Sequence, residues 1–557
     1  MAENLKNHNY VFGEGGTGIR VLLATSHWLN TKAMAESSHT AAENWHLVYE
    51  TMDAGNEEIG EVLRLQALQE KIGTFGDPGC SFSFVKLAES TAKMAGKETE
   101  QDAKNREQGI RLRDVLDEWF QNELLLTEEQ LNKDISGGYY RDQTIGSIVL
   151  PLGLASALET EEDQKYGFQA VIEDVLNSNG NYQVRLAFVA NGFGGEGVTN
   201  ICDYPGIIKE LCITRMMDAL DMNWENAKLC VEKTLKIAVV MTGAAFRFPS
   251  TKNLNQNIAG LVGGTLRSYP DISAEAVNLF YLLESDNCPV QASQASEYGR
   301  QHKKAHAIEL VAVAMLEDFF HRSTEQVSKK QCPVIPVYSM PGHGFTNWDN
   351  LGLPKSYREK LSARLRFDTA LLYWMKPQLL VSSEERSAGK LYQSEILHQM
   401  YHEKTDKKLE GAIDDGKKWD LDDDILEPLR ALCEREQMFL KFLLEISQTG
   451  KNWETGMPAA AGCGSSLFPV ERLENLLQEE NSENSIWQYG GMTGFCLDDM
   501  TKCPVNPVTQ KAEDNIYMNR LTLDKLRKRV YKEKKIRESL NGMLSAVYEI
   551  SSKRKEK

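Results

Sequence analysis

Residues 10–21 read YVFGEGGTGIRV, and this stretch decides the fold class. The apolar run Tyr10–Phe12 predicts a strand, and the apolar spacing after the glycines predicts a helix. Such a turn can cradle a phosphate, because it brings backbone N–H groups and a helix N-terminus together, or it can be an ordinary tight connection. The residues of this turn with a candidate binding role are Gly13, Gly15, Gly16, Thr17 and Gly18.

The alternation of short apolar strands and amphipathic helices continues through the first 330 residues. Four further strands are predicted at His46–Thr51, Val184–Ala190, Leu235–Met241 and Val277–Leu283. The helices predicted between the strands cover Gly18–Leu29, Glu58–Glu70, Gln108–Glu128, Glu162–Leu176 and Tyr204–Leu220. Most of these strands are continuously apolar, as strands buried on both faces are. The pattern predicts an α/β fold with a Rossmann-like parallel sheet.

A second stretch repeats the design of the first at residues 184–201, VRLAFVANGFGGEGVTNI. An apolar strand is again followed by a glycine-rich turn and a helical run, which is expected to start after Asp203. The small residues of this turn are Gly192, Gly194, Gly195, Gly197, Val198 and Thr199. Because parallel strands end at one edge of a sheet, we expect both turns to converge on one crevice and hold one polyphosphate. A dinucleotide enzyme does not need the second turn.

Two shorter motifs add candidate ligand contacts. Asp53 follows the second strand, where a carboxylate suits a ribose hydroxyl or caps the next helix. Gly137 and Gly138 lie in a third glycine turn, within LNKDISGGYYRDQTIGSIVLP at residues 131–151. Three such turns on one α/β alternation favour a nucleotide pocket. The first turn lacks the Lys-Ser/Thr pair of a Walker P-loop, which excludes that mechanism of phosphate binding.

The order of these motifs resembles the tubulin/FtsZ superfamily, and in particular its divergent prokaryotic tubulin-like members. YVFGEGGTGIRV and NGFGGEGVTN are similar to the family's first nucleotide loop and its glycine signature. TMDAGNEE resembles the second loop, and SGGYYRDQTIGS resembles the loop over the γ-phosphate. The resemblance covers roughly residues 8–350. It implies a GTP/GDP-binding protein that assembles with itself into a filament or oligomer, with Mg²⁺ as a further candidate cofactor.

The resemblance also implies roles for residues beyond the glycine turns. Asp53, Ala54 and Asn56 would contact the ribose or phosphates. Asn287 would contact the purine or its sugar, although an Asx turn before Pro289 explains this residue equally well.

The family's catalytic loop carries Asn-x-Asp-x-x-Asp, and the nearest match here is TNWDNLG at residues 346–352. Asn347 and Asp349 are therefore the candidate catalytic residues, with Asp349 orienting a water molecule. The same residues also suit a turn with an Asn/Asp cap. Two departures from the family pattern leave GTP hydrolysis open, because Gly352 replaces the third acid and Glu196 replaces the Thr of the signature. Glu196 either points away, helps to hold a metal ion or marks a turn that no longer binds a triphosphate.

The resemblance divides the chain into four parts. Residues 1–300 form the nucleotide-binding domain, and residues 301–322 form a central helix around His302–Phe320. Residues 323–405 form a smaller second domain. Residues 406–557 form a mainly helical extension, whose basic terminal helix is a candidate contact for a partner protein or an acidic surface.

Composition narrows the function further. The 557 residues carry a formal net charge of −17, which argues against broad nucleic-acid binding. The ten cysteines form no CxxC pair, and His302 and His306 lack the Glu of an HExxH motif, so no metal site is predicted. The sequence contains no apolar run of membrane-spanning length and no signal-peptide core, so a cytoplasmic protein is expected.

Two alternative functions stay open at this point. The first is an NAD(P)-binding Rossmann-type oxidoreductase that uses GEGGTG and Asp53. The second is a structural scaffold that does not hydrolyse GTP and keeps only a vestigial nucleotide pocket.

Overall fold

A computed structural model of the chain describes part of its length. The described residues are 7–36, 44–51, 57–86, 111–116, 126–133, 144–149, 167–178, 181–192, 195–243, 264–266, 275–284, 305–327, 334–338, 345–346, 353–380, 423–447, 464–465 and 540–552, with a few single positions between them. They form a parallel sheet with helices on both faces and a further layer of helices outside one face.

Seven strands in the described part of the chain form one sheet, and all neighbouring pairs are parallel. They are β1 (His8–Glu14), β2 (Trp45–Thr51), β3 (Ser81–Lys86), β4 (Val184–Asn191), β5 (Leu235–Thr242), β6 (Leu279–Glu284) and β7 (Val334–Tyr338). Their spatial order is β3-β2-β1-β4-β5-β6-β7. The direction of winding reverses between β1 and β4, and open α/β sheets form their ligand crevice at such a point. A separate two-stranded ladder joins β8 (Phe345–Thr346) to β9 (Gly464–Ser465).

The described helices comprise helices that cover the sheet, an outer layer of helices and three single-turn segments. They are α1 (Gly15–Glu36), α2 (Glu57–Ile72), α3 (Leu112–Val115), α4 (Glu128–Leu131), α5 (Phe168–Asn177), α6 (Gly195–Leu220), α7 (Trp224–Thr234), α8 (Ala307–His321), α9 (Thr324–Val327), α10 (Lys355–Leu380), α11 (Asp423–Ser447) and α12 (Leu540–Ser552). Helices α1, α2 and α8 lie on one face of the sheet, and α5, α6 and α7 lie on the other. Helices α10, α11 and α12 pack outside α1 and α2.

The alternation of side chains along β1 explains how the two faces are filled. Val11 is fully buried on the face that carries α1, whereas Phe12 stacks on Phe168 of α5, with ring centroids 4.4 Å apart. The central strands are buried on both faces, which accounts for their continuous apolar sequences. The five predicted strands and the α/β class are confirmed. β3 is an additional edge strand, and its alternating Ser and Phe residues gave a weaker signal than a continuous apolar run.

Three of the helices predicted between the strands differ from the observed ones. Helix α6 begins at Gly195 and not after Asp203, because Pro205 lies inside this helix and does not mark its start. Helix α1 begins at Gly15 and not at Gly18. The helix predicted over Gln108–Glu128 is interrupted, since the backbone at Leu116 is extended after α3.

The predicted central helix, His302–Phe320, corresponds to α8, but α8 begins only at Ala307, because Ala305 and the N-cap residue His306 are not helical. The Nδ1 atom of His306 accepts a hydrogen bond from the Ile308 backbone N–H at 3.0 Å, so this histidine has a capping role. In the chain, α8 comes between β6 and β7, and these two strands pair directly in the sheet. The sheet therefore continues beyond the boundary predicted at residue 300, and α10, α11 and α12 share its hydrophobic core.

Candidate functional site

The first glycine turn is shorter than its sequence suggests. β1 continues through Gly13 and Glu14, and α1 follows directly at Gly15. Gly15 has φ of +63°, a left-handed conformation that glycine adopts without a steric cost. Gly16 is exposed, and a Cβ added to it would meet no atom within 4 Å. The N-terminus of α1 therefore opens at the carboxyl edge of the sheet with space beside Gly16.

Two glycines of the same turn serve close packing. A Cβ on Gly18 would lie 2.4 Å from the carbonyl oxygen of Val189 and 2.6 Å from the carbonyl carbon of Gly13. A Cβ on Gly13 would lie 2.7 Å from the side chain of Leu22. These contacts hold the first turns of α1 directly against β1 and β4, which is the packing role of a glycine in dinucleotide-binding folds.

The second glycine turn lies beside the first. Asn191, the last residue of β4, donates a hydrogen bond from Nδ2 to the Thr17 hydroxyl oxygen at 3.0 Å. The Gly192 backbone N–H donates to the Thr242 carbonyl oxygen at 2.8 Å, and the Gly192 carbonyl accepts from the Thr265 hydroxyl at 3.2 Å. These bonds fix the end of β4 between the first turn and β5. The structure thus brings Thr17 and Gly192 together at the carboxyl edge of the sheet.

The first turns of α6 pack as closely as those of α1. A Cβ on Gly197 would lie 2.9 Å from the Cβ of Ala190 on β4. Val198 and Thr199 are each 2% exposed, so their side chains lie in the interior. Gly195 is the first residue of α6. The helix N-termini of α1 and α6 consequently lie at the same edge of the sheet, and such termini favour anions.

Two buried carboxylates, which the sequence analysis did not single out, lie next to these turns. Glu14 and Glu50 end the apolar runs of β1 and β2, are neighbours in the strand register, and are fully buried. The Glu14 carboxylate accepts a hydrogen bond from Asn200 Nδ2 at 2.5 Å, and the Glu50 carboxylate accepts one from the Tyr204 hydroxyl. An acidic residue at the last or last-but-one position of a mainly apolar strand was the available signal.

A buried ion pair lies near the N-terminus of α1, on the face of the sheet opposite to the one that α6 covers. Arg20 donates hydrogen bonds from Nε and Nη2 to the two carboxylate oxygens of Glu309, each at 3.4 Å. Burial raises the pKa of Glu309 to about 7, although Arg20 opposes that shift. The Glu309 carboxylate also accepts from the His306 backbone N–H at 3.1 Å. This pair joins α1 to the N-terminus of α8.

Several predicted site residues lie outside the described residues, and the structure therefore says nothing of their positions. Those with a proposed ligand-binding role are Asp53, Ala54, Asn56, Gly137, Gly138, Gly194 and Asn287. The catalytic candidates Asn347 and Asp349 and the replaced position Gly352 also lie outside them, as does the side chain of Glu196.

The described residues contain no group of three or more His, Cys, Asp or Glu side chains placed to hold a metal ion. None of the helices in the described parts of the chain combines the length and apolar character that a membrane crossing requires.

The fold and the two turns define a class: an α/β protein with a Rossmann-like parallel sheet and two neighbouring glycine turns at the point where the strand order reverses. Comparison with models of protein families, with curated proteins and with solved structures finds no match. Because one fold hosts many functions, the function has to be inferred from the residues at the carboxyl edge of the sheet.

Proposed function

We propose that the protein binds a guanine nucleotide in the crevice between the two glycine turns and that binding is coupled to self-assembly. The observation that carries this proposal is the 3.0 Å hydrogen bond from Asn191 to Thr17, which joins the turns at the switch point of the sheet. Ligands of open parallel sheets occupy the crevice at this point. Two helix N-termini and the exposed backbone at Gly16 provide N–H groups for phosphate oxygens. The choice of guanine and the coupling to assembly rest on the resemblance of the motifs to tubulin-like proteins.

The direct test is an equilibrium titration of the protein with GTP and GDP. Gly16→Trp fills the open space beside the first turn, so we expect nucleotide affinity to fall at least about tenfold through steric exclusion. Gly60→Trp is the matched control, since Gly60 is an exposed helical glycine of α2 whose added Cβ would also meet nothing within 4 Å. Unchanged affinity in Gly16→Trp, with Gly60→Trp like the wild type, would show that the nucleotide does not bind here.

The alternative is a dinucleotide-dependent oxidoreductase, and one observation favours it. The order of the first six strands, β3-β2-β1-β4-β5-β6, is that of dinucleotide-binding sheets. In those proteins, however, an acidic residue past the second strand binds the ribose, and Glu50 at the end of β2 is buried and bonded to Tyr204. In an oxidoreductase, Asp53 would therefore have to bind the ribose in place of Glu50. Titration with NAD⁺ and NADP⁺ separates the two functions, because the guanine-nucleotide proposal predicts no saturable binding of either.

A further inference from the structure

Two buried ion pairs join α8 to α1, and they differ in geometry. Near the C-terminus of α8, the Lys32 ammonium lies 2.7 Å from a carboxylate oxygen of Glu317, which also accepts a hydrogen bond from the Tyr357 hydroxyl. Near the N-terminus, both hydrogen bonds from Arg20 to Glu309 are 3.4 Å long, whereas charge-assisted N–H···O bonds are typically about 2.7–2.9 Å. The Arg20–Glu309 pair is therefore the looser one, although its side chains are the more deeply buried, at 2% and 1% exposed.

Glu445 of α11 lies beside Glu309 at this end of α8. Its carboxylate accepts a hydrogen bond from the Ala305 backbone N–H at 2.9 Å, and the next N–H along the chain, that of His306, donates to Glu309 at 3.1 Å. Two buried carboxyl groups thus bind consecutive backbone donors. When two carboxyl groups share a site, the negative charge of one raises the pKa of the other.

The cation that faces Glu309 in the described part of the chain is Arg20, and a third carboxylate competes for it. Glu61 of α2 lies 4.0 Å from Arg20 Nη1. The other ionisable side chains of the elements packed on α8 have partners of their own: the Nδ1 atom of His306 accepts from the Ile308 N–H, Tyr281 of β6 donates to Asp318, and Lys236 of β5 donates to the Glu232 carbonyl. One arginine therefore faces more carboxylate charge than it neutralises.

We propose that Glu309, Arg20 and Glu445 form a proton-operated clasp, which holds the N-terminus of α8 to α1 and α11 when Glu309 is protonated and loosens when Glu309 is charged. Burial raises the pKa of Glu309 to about 7, against the opposing charge of Arg20, so the clasp changes state near neutral pH. The closed clasp binds this proton more tightly than an opened one, in which Glu309 has its ordinary pKa of about 4.5. The stabilisation is complete below that ordinary pKa and is lost as pH rises through 7. The clasp requires no nucleotide.

The pair at the other end of α8 does not respond in this pH range. Burial alone would raise the pKa of Glu317, but the charge of Lys32 and the hydrogen bond from Tyr357 help to outweigh burial and lower it. Glu317 therefore stays charged at neutral pH. A rise in pH accordingly loosens α8 at its N-terminal end and leaves its C-terminal end in place.

Hydrogen exchange of the full-length chain between about pH 6 and pH 8 tests the clasp, because the backbone N–H groups of Ala305 and His306 are part of it. Protection is read by mass spectrometry and corrected for the intrinsic exchange rate at each pH. We expect protection at residues 305–309 to fall about tenfold across this range and protection at residues 317–321 to stay constant. An equal fall at both ends of α8, or no fall at its N-terminus, overturns the inference.

Glu309→Gln assigns the titrating group. Glutamine keeps an oxygen that accepts from the His306 N–H and carries no charge at any pH, so it mimics the protonated side chain. We expect protection at residues 305–309 in this variant to be independent of pH. A fall like that of the wild type would assign the titration to another group, such as His306, and would overturn the inference.

The matched control is Glu317→Gln, which removes the other ion pair between the same two helices. We expect it to lower protection at residues 317–321 by the same factor at every pH and to keep the tenfold fall at residues 305–309. Loss of that fall in Glu317→Gln would show that the pH dependence belongs to the whole α1–α8 contact, and it would contradict a clasp at the N-terminus of α8.

Discussion

Individual glycines of the first turn have different physical roles, although they are alike in the sequence. Gly15 supplies a left-handed backbone, Gly18 supplies the close approach of α1 to β4, and Gly16 leaves open space. An added methyl group therefore has a different consequence at each position. It is severe at Gly18, where the nearest atom is a backbone oxygen that a rotamer change cannot move.

Gly18→Ala is expected to lower the free energy of unfolding by at least about 2 kcal/mol, because the new Cβ would clash with the Val189 carbonyl oxygen. Urea unfolding followed by circular dichroism measures this change. Gly206→Ala is the control, since a Cβ there would meet nothing within 4 Å inside α6. It should stabilise the protein by about 0.5–1 kcal/mol. Equal stability of Gly18→Ala and the wild type would contradict the packing described for α1.

The residue patterns predicted the two glycine turns. They did not predict which glycine allows close packing, which adopts a left-handed backbone and which leaves open space. Glycine spacing indicates a turn, whereas the contacts of Gly13 and Gly18 depend on how α1 crosses the ends of β1 and β4. The pairing of Glu14 with Asn200 joins residues 186 positions apart, and no local pattern encodes such a contact.

At the scale of elements, a buried ionic cluster fastens the outer helices to α1. Glu436 of α11 accepts hydrogen bonds from Arg364 of α10 at 2.8 Å and from Arg435 at 2.7 Å. Arg364 also donates to the His27 carbonyl of α1 at 2.7 Å. All three charged side chains are fully buried, so removal of one partner would leave an uncompensated charge.

The carboxyl group of Asp368 in this cluster should make the stability of the fold depend on pH. Burial, together with the negative charge of Glu436, raises the pKa of Asp368 well above its usual range. The folded protein therefore binds this proton more tightly than the unfolded chain, and the resulting stability is lost as pH rises through the folded-state pKa. Asp368→Asn should flatten the fall in unfolding free energy that begins as pH rises above the ordinary aspartate pKa of about 3.8. The exposed Asp218→Asn should keep the wild-type slope, and an identical slope in all three proteins would exclude this role of Asp368.

Glu436 should make stability depend on pH in the opposite direction, with a loss of stability at acid pH. Burial alone would raise its pKa, but Arg364 and Arg435 outweigh burial and lower it to about 2. Its contribution to stability is therefore present above the ordinary glutamate pKa and is lost as pH falls from about 4.5 towards 2. Unfolding free energies of the wild type and Glu436→Gln should converge over this range. A constant difference between them down to pH 2 would contradict the low pKa of Glu436.

The boundaries of elements were harder to predict than their existence. The Pro at position 205 is typical of a helix start, yet α6 begins ten residues earlier, because its first turns are held by the close approach of Gly197 to Ala190 of β4 and by the burial of Val198. Tertiary contacts of this kind override local preferences.

At the scale of the whole molecule, the continuous apolar strands and the helices between them were sufficient to predict the α/β class. The strand order was not predictable from them, because it depends on which strands pair across long stretches of chain. The packing of α10, α11 and α12 on the outside of α1 and α2 is equally remote in sequence. The proposed coupling to assembly belongs to this scale, since it involves a surface of the entire protein.

Self-assembly predicts a nucleotide-dependent increase in light scattering at high protein concentration. One subunit of a head-to-tail assembly completes a contact of the next, so repetition gives a polymer. Scattering should rise when GTP is added to the wild type and stay low with Gly16→Trp, whereas Gly60→Trp should behave like the wild type. Scattering that is high and independent of nucleotide in all three proteins would favour a scaffold with a vestigial pocket.

The measurement that tests the central claim most directly is the identification of the nucleotide that the purified protein retains. The protein is denatured, and the released small molecules are separated by ion-exchange chromatography against nucleotide standards. The proposed crevice predicts GDP or GTP from the wild type and from Gly60→Trp, with little from Gly16→Trp. Release of NAD⁺ or NADP⁺ instead would contradict the guanine-nucleotide proposal and favour an oxidoreductase.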